Sequence, residues 1–155
     1  MMSEILILAA LQQAGNNVLV DGSLRDYEWY TEYFARLRRD YPSFSIAILH
    51  ITAPRQAVLE RAKNRAKITG RVVPQKLLEE VMQQVPASVS RLRSMVDFFV
   101  EIHNSGKDGE DVQLVSMSSP DTGAVNNNNV TWAEFTNQWR SACQEHDHNH
   151  FSSSR

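Results

Sequence analysis

Short apolar runs alternate with helix-like segments along most of this chain, and that alternation is the strongest constraint on its fold. The apolar runs, each a predicted strand, are residues 18–20, 44–51, 97–103 and 112–117. Between them, apolar residues recur three or four apart and proline or glycine marks the ends, which predicts helices. The predicted helices cover residues 3–14, 26–40, 54–68, a segment from Pro74, 87–96 after Pro86, and 132–144. This order predicts an α/β fold with a mainly parallel sheet.

Ligands of such sheets bind beyond the carboxyl ends of the strands. That rule selects Asp21 after the first strand, the residues after Ile51, and His103-Asn104 after the third strand. These places are therefore the first candidates for a functional site.

Size and composition restrict the class of protein. The 155 residues suit one domain, and a single cysteine excludes an intrachain disulfide framework. No apolar run is long enough to cross a bilayer, and no basic residue precedes the apolar start. We expect a cytoplasmic protein without a membrane partner, and the net charge of −2 gives no reason to expect nucleic acid as a partner.

The charge is concentrated in one segment. Residues 54–76 carry one acidic residue, Glu60, and seven basic ones, a local net charge of +6. The basic residues are Arg55, Arg61, Lys63, Arg65, Lys67, Arg71 and Lys76. This excess predicts a place that attracts an anion, and the alternative is a solvated basic helix face.

Three arginines in that segment have a spacing that suits anion binding. Arg61 and Arg65 are four apart and share one helical face, where their charges repel unless an anion lies between them. Gly70 can turn the chain so that Arg71 folds back toward the same anion. The alternative is a plain amphipathic helix, and the two interpretations are compatible.

A second motif is Asp21-Gly22-Ser23-Leu24-Arg25-Asp26, directly after the first predicted strand. Asp21 can hold a metal or a substrate hydroxyl, and the forked guanidinium of Arg25 suits a phosphate or carboxylate. Alternatively, Asp21 caps the next helix and Arg25 pairs with Asp26 or Glu28.

The sequence lacks a common nucleotide-binding motif and has only a weak candidate for a metal site. The chain has no Gly-x-x-x-x-Gly-Lys motif followed by Ser or Thr, the Walker A loop that cradles phosphates. His146, His148 and His150 alternate near the end, but a frayed tail lacks the surrounding groups that orient metal ligands. We therefore predict no metal site formed by protein residues alone.

With these motifs in place, the chain resembles the zeta-toxin-like P-loop kinases. Residues 17–26 resemble the strand and turn of that family, and residues 60–65 followed by 69–74 resemble its arginine-bearing helix and lid. The strand at 97–104 fits the same layout, so the resemblance covers about residues 4–104. It implies a parallel-sheet, three-layer P-loop-kinase-like fold.

The resemblance also implies an activity, the transfer of the γ-phosphoryl group of ATP to a small hydroxyl-bearing acceptor. It implies that Asp21 and Arg25 are the catalytic residues, facing the acceptor or Mg²⁺. Arg61, Arg65 and Arg71 would then hold the ATP phosphates.

Family members carry the Walker A loop before the matched segment. We therefore expect a truncated chain whose fold is incomplete at the N-terminus and which is inactive alone. An exposed sheet edge is then expected to allow homo-association. The alternatives to a kinase are a non-catalytic remnant that binds anions or nucleotides and an interaction module.

The expected organisation has four parts: the kinase domain over 3–104, a variable loop with a strand over 105–130, a helix over 131–145, and a frayed tail over 146–155.

Overall fold

The computed structural model of the protein describes residues 18–106, 110–119, 123–125, 131–137 and 139–140. Its elements are α1 (Tyr27–Asp40), β1 (Ala47–Thr52), α2 (Arg55–Thr69), α3 (Gln75–Leu92), a 3₁₀ turn (Arg93–Met95), β2 (Phe98–His103), β3 (Gln113–Ser119) and β4 (Gly123–Val125). Residues 132–137 and 139–140 are helical and are called α4. None of the helices in the described part of the chain has the length and apolarity to span a bilayer.

The sheet is mixed rather than mainly parallel. Its order is β1-β2-β3-β4; β1 and β2 run parallel, whereas β3 is antiparallel to both β2 and β4. The reason is the length of the connections. Residues 104–112 between β2 and β3 are too few for the helical crossover that a parallel neighbour requires.

Each face of the sheet carries its own apolar cluster. The first cluster joins Ile48 and Phe99 of the sheet to Phe34 of α1 and to Val89 and Leu92 of α3. The second cluster, on the opposite face, consists of Phe98, Val100, Ile102, Leu114 and Met117, against which Ala47, Phe135 and Trp139 pack. The mixed α/β class is thus correct, with helical residues on both faces.

The first predicted strand, residues 18–20, is wrong. These residues form no strand, and the Leu19 side chain is 89% exposed. The reason is that an extended run becomes a strand only when its backbone groups have a neighbour to bond, and no described strand lies beside this one. The predicted helix over 3–14 lies outside the described residues.

Two predicted boundaries were also wrong. The helix from Gln75 passes through Pro86 and continues to Leu92, because Val89 and Leu92 are buried on the face that packs against the sheet. The strand predicted over 112–117 extends to Ser119 as β3, and a further short strand, β4, follows it.

Candidate functional site

Arg61 on α2 reaches the carboxyl end of the sheet. Its Nη2 donates to Oδ1 of Asn104 at 2.7 Å, and the same oxygen accepts from the backbone N–H of Gly106 at 3.1 Å. The backbone N–H of Asn104 in turn donates to the carbonyl of Thr52 at 2.8 Å. The arginine face of α2 therefore meets the ends of β1 and β2, two of the places that the strand-end rule selects.

Arg65 and Arg71 follow Arg61 along the same segment. Arg65 lies one helical turn further on, and α2 ends at Gly70, whose φ of 71° is the left-handed conformation of a helix C-cap. The hydroxyl of Thr69 donates to the carbonyl of Arg65 at 2.8 Å and accepts from the backbone N–H of Arg71 at 3.3 Å. Both arginine residues are exposed, and no hydrogen bond within the described residues joins the side chains of the three arginines.

Most of the basic segment lacks carboxylate partners. Arg55 pairs with Glu79, and Lys76 lies 3.9 Å from Glu80. Within the part of the chain that the structure describes, the other five basic residues make no ion pair; they are Arg61, Lys63, Arg65, Lys67 and Arg71. Residues two apart point to different sides of a helix, so Lys63 and Lys67 lie away from the face that carries Arg61 and Arg65. Two unneutralised guanidinium groups on one face can hold a multiply charged anion.

Asp21 and Arg25 are exposed residues that precede α1. Arg25 lines a cavity of about 500 Å³ together with Tyr27, Glu80, Gln84 and Arg91. The guanidinium of Arg91 lies over the Tyr27 ring, 5.3 Å from its centroid. Arg91, Glu80 and Gln84 were missed in the sequence because they come from α3, far along the chain, and no local pattern connects them to Arg25.

The alternative in which Asp21 caps the next helix is wrong, because Asp26 caps α1. Its Oδ1 accepts from the backbone N–H of Trp29 at 3.1 Å, and Asp21 is exposed. Nor does Arg25 form an ion pair with Asp26 or Glu28 among the described residues. Among the described residues, neither Asp21 nor Arg25 forms a hydrogen bond or an ion pair with Arg61, whose side chain donates to Asn104.

The turn between Asp21 and Arg25 is held by its neighbours. Leu24 has a φ of 53°, which is unusual for a branched residue, and its side chain packs against the first apolar cluster. A Cβ on Gly22 would lie 2.5 Å from the Tyr30 hydroxyl, so only glycine fits there without a shift. A strained conformation fixed by packing is common at binding sites.

His50 of β1 carries a buried polar atom. Its Nδ1 has no hydrogen-bond partner among the described residues. Burial lowers the pKa of His50, and Glu101, its partner in the parallel register, partly offsets this effect. The folded chain therefore favours neutral imidazole at this position.

This lowered pKa predicts a loss of stability in acid. Below a pH of about 6.5 the unfolded histidine takes up a proton that the folded His50 binds less readily, so the melting temperature should fall between pH 7.5 and 5.5. In His50→Gln the fall should be smaller, as thermal unfolding at both pH values would measure. Equal falls in the two proteins would contradict the prediction.

The described residues form no cluster of three or more His, Cys, Asp or Glu side chains that could hold a metal ion. The alternating histidines of the tail lie outside the described residues.

Comparison with known protein families gives a match over most of the chain. The model of the family described as Zeta toxin matches residues 4–114. Neither the curated proteins nor the solved structures contain a match to the chain.

Proposed function

Since this chain belongs to the zeta toxin family of P-loop kinases, we propose that it contributes to phosphoryl transfer from ATP to a small hydroxyl-bearing acceptor. Arg61, Arg65 and Arg71 hold the phosphates of ATP in this proposal. Asp21 and Arg25 face the acceptor.

The observation that carries the proposal is the arginine face of α2 beside the carboxyl ends of β1 and β2. Arg61 lies there through its hydrogen bond to Asn104, and Arg65 follows one turn later. Phosphoryl transfer depends mostly on positioning and on neutralising charge on the phosphates, and guanidinium groups do both. Arg71, just beyond the left-handed Gly70, supplies a third cation at the end of α2.

Mg²⁺ usually binds through one or two carboxylates together with water and the substrate phosphates. The exposed carboxylate of Asp21 suits that role only when a nucleotide supplies the remaining oxygens. The ion would neutralise charge on the phosphates, while Arg25 in its polar cavity would orient the acceptor.

A non-catalytic anion-binding module is the second candidate function. It is favoured by one fact, that the 155 residues contain no Walker A motif. Without that loop, these residues supply arginines for the phosphates but not the backbone N–H groups of a Walker A loop. We therefore expect ATP binding by this chain and no turnover unless a phosphate-binding loop is supplied.

Calorimetric titration with Mg-ATP at low and moderate salt tests the proposal. The wild-type chain should bind at low salt and more weakly at moderate salt, because exposed charges are screened. Arg65→Gln should weaken binding about tenfold, which corresponds to ~1.4 kcal/mol. Lys67→Gln removes the same charge from the other side of α2 and should change the affinity less than about twofold.

The absence of binding at low salt would reject both candidate functions, and equal losses in the two variants would reject the arginine face as the site. Phosphorylation of an acceptor by the purified chain would support the kinase and reject the non-catalytic module.

A further inference from the structure

The strand β1 has a partner on one side only within the described sheet. The carbonyl of Ile46 accepts from the backbone N–H groups of Asp97 and Phe98 at 2.9 and 3.2 Å, and that of Thr52 accepts from Asn104 at 2.8 Å. Backbone groups of successive strand residues alternate in direction. The N–H and C=O groups of Ala47, Leu49 and Ile51 therefore point to the side of β1 away from β2.

Within the residues that the structure describes, this edge lacks the features that normally prevent strands from pairing. The sequence Ala-Ile-Leu-His-Ile-Thr contains no proline, lysine or carboxylate, and its pairing with β2 has no bulge. A strand of this kind can add another strand along its whole length.

The side chains at the edge are apolar and exposed. Leu49 is 41% exposed and Ile51 is 65% exposed. In the parallel register they lie beside Val100 and Ile102, which belong to the second apolar cluster. Phe135 and Trp139 cover one part of this apolar face of the sheet, and the face continues from there to Leu49 and Ile51.

We propose that β1 pairs antiparallel with β1 of a second copy of this chain, across a twofold axis at His50. In this register Leu49 of each copy lies opposite Ile51 of the other, and both residues point their backbone groups at the partner. The pairing is self-complementary, because the two exposed apolar residues lie one on each side of the axis. The two four-stranded sheets become one continuous sheet, and the apolar side chains of both copies cover each other.

Sedimentation velocity of the full chain over a range of concentrations tests this proposal. The wild-type chain should show a monomer–dimer equilibrium, and Ile51→Lys should weaken it at least about tenfold, because an edge lysine opposes pairing. Ile68→Lys is the matched control, since Ile68 is 85% exposed and belongs to α2 rather than to β1. It should dimerise like the wild type.

Amide hydrogen exchange at Leu49 and Ile51 gives a second test that needs no variant. Their N–H groups should exchange slowly at high protein concentration and faster on dilution. A dimer in which both amides exchange fast would overturn the proposal, because another surface would then form the interface. A monomer in which both are protected would also overturn it, because a segment of the same chain would then cover the edge. A wild-type chain that stays monomeric with fast exchange, or Ile51→Lys that dimerises normally, would overturn it as well.

Discussion

Replacing Leu92 with alanine is expected to lower the free energy of unfolding by about 3–4 kcal/mol. Leu92 is 0% exposed at the end of α3, and it belongs to the cluster that joins α1 and α3 to one face of the sheet. Truncation removes apolar area from the core and leaves a cavity that rigid neighbours on three elements cannot fill. Urea denaturation measures the loss.

Leu77→Ala is the matched control because it makes the same change in the same helix. Leu77 is 39% exposed, so its truncation should cost less than about 1 kcal/mol. Equal losses for the two variants would contradict the packing of α3 against the sheet. Because Leu24 packs on the same cluster, Leu92→Ala should also loosen the turn that holds Asp21 and Arg25.

The elements that the sequence predicted well have local signals at their ends. Asp26 caps α1 through its own side chain, and Gly70 ends α2 in the left-handed conformation. Each signal depends on residues within one helical turn, so it can be read without knowledge of the rest of the chain.

The errors arose where distant residues decide the structure. Proline inside a helix costs about 3 kcal/mol, which predicts a break at Pro86. The burial of Ser88, Val89 and Leu92 on one face favours a continuous helix instead. Likewise, residues 18–20 have the composition of a buried strand, but composition does not report whether a neighbouring strand is present.

The candidate site also has features that the local sequence predicts and features that depend on distant residues. The spacing of Arg61 and Arg65 predicts their common face, because that depends only on helix geometry. The contact of Arg61 with Asn104 joins residues 43 apart in the sequence, and the cavity around Arg25 includes Arg91 from α3. Such contacts follow from how the elements pack, and a single sequence does not encode them as a pattern.

Replacing Gly106 with alanine should lower the free energy of unfolding by about 2–3 kcal/mol, which is the second large effect that we expect. Gly106 has a φ of 82°, which costs an L-residue about 1–2 kcal/mol. A Cβ there would lie 2.6 Å from the Cβ of Ala57 on α2 and 3.4 Å from Nη2 of Arg61. The added methyl group must therefore push the loop away from α2, and the hydrogen bond between Arg61 and Asn104 should lengthen or break.

Gly70→Ala separates these two causes, because Gly70 has a φ of 71° but nothing within 4 Å of the added Cβ. Its cost should be the conformational strain alone, about 1 kcal/mol. The double variant Gly106→Ala/Ala57→Gly removes the methyl group that the new Cβ meets, so the pair should show a favourable coupling of about 1–2 kcal/mol in urea denaturation. A coupling of zero would mean that the loop after β2 does not approach α2, and Arg61 would then lose the support that orients it toward the ends of the strands.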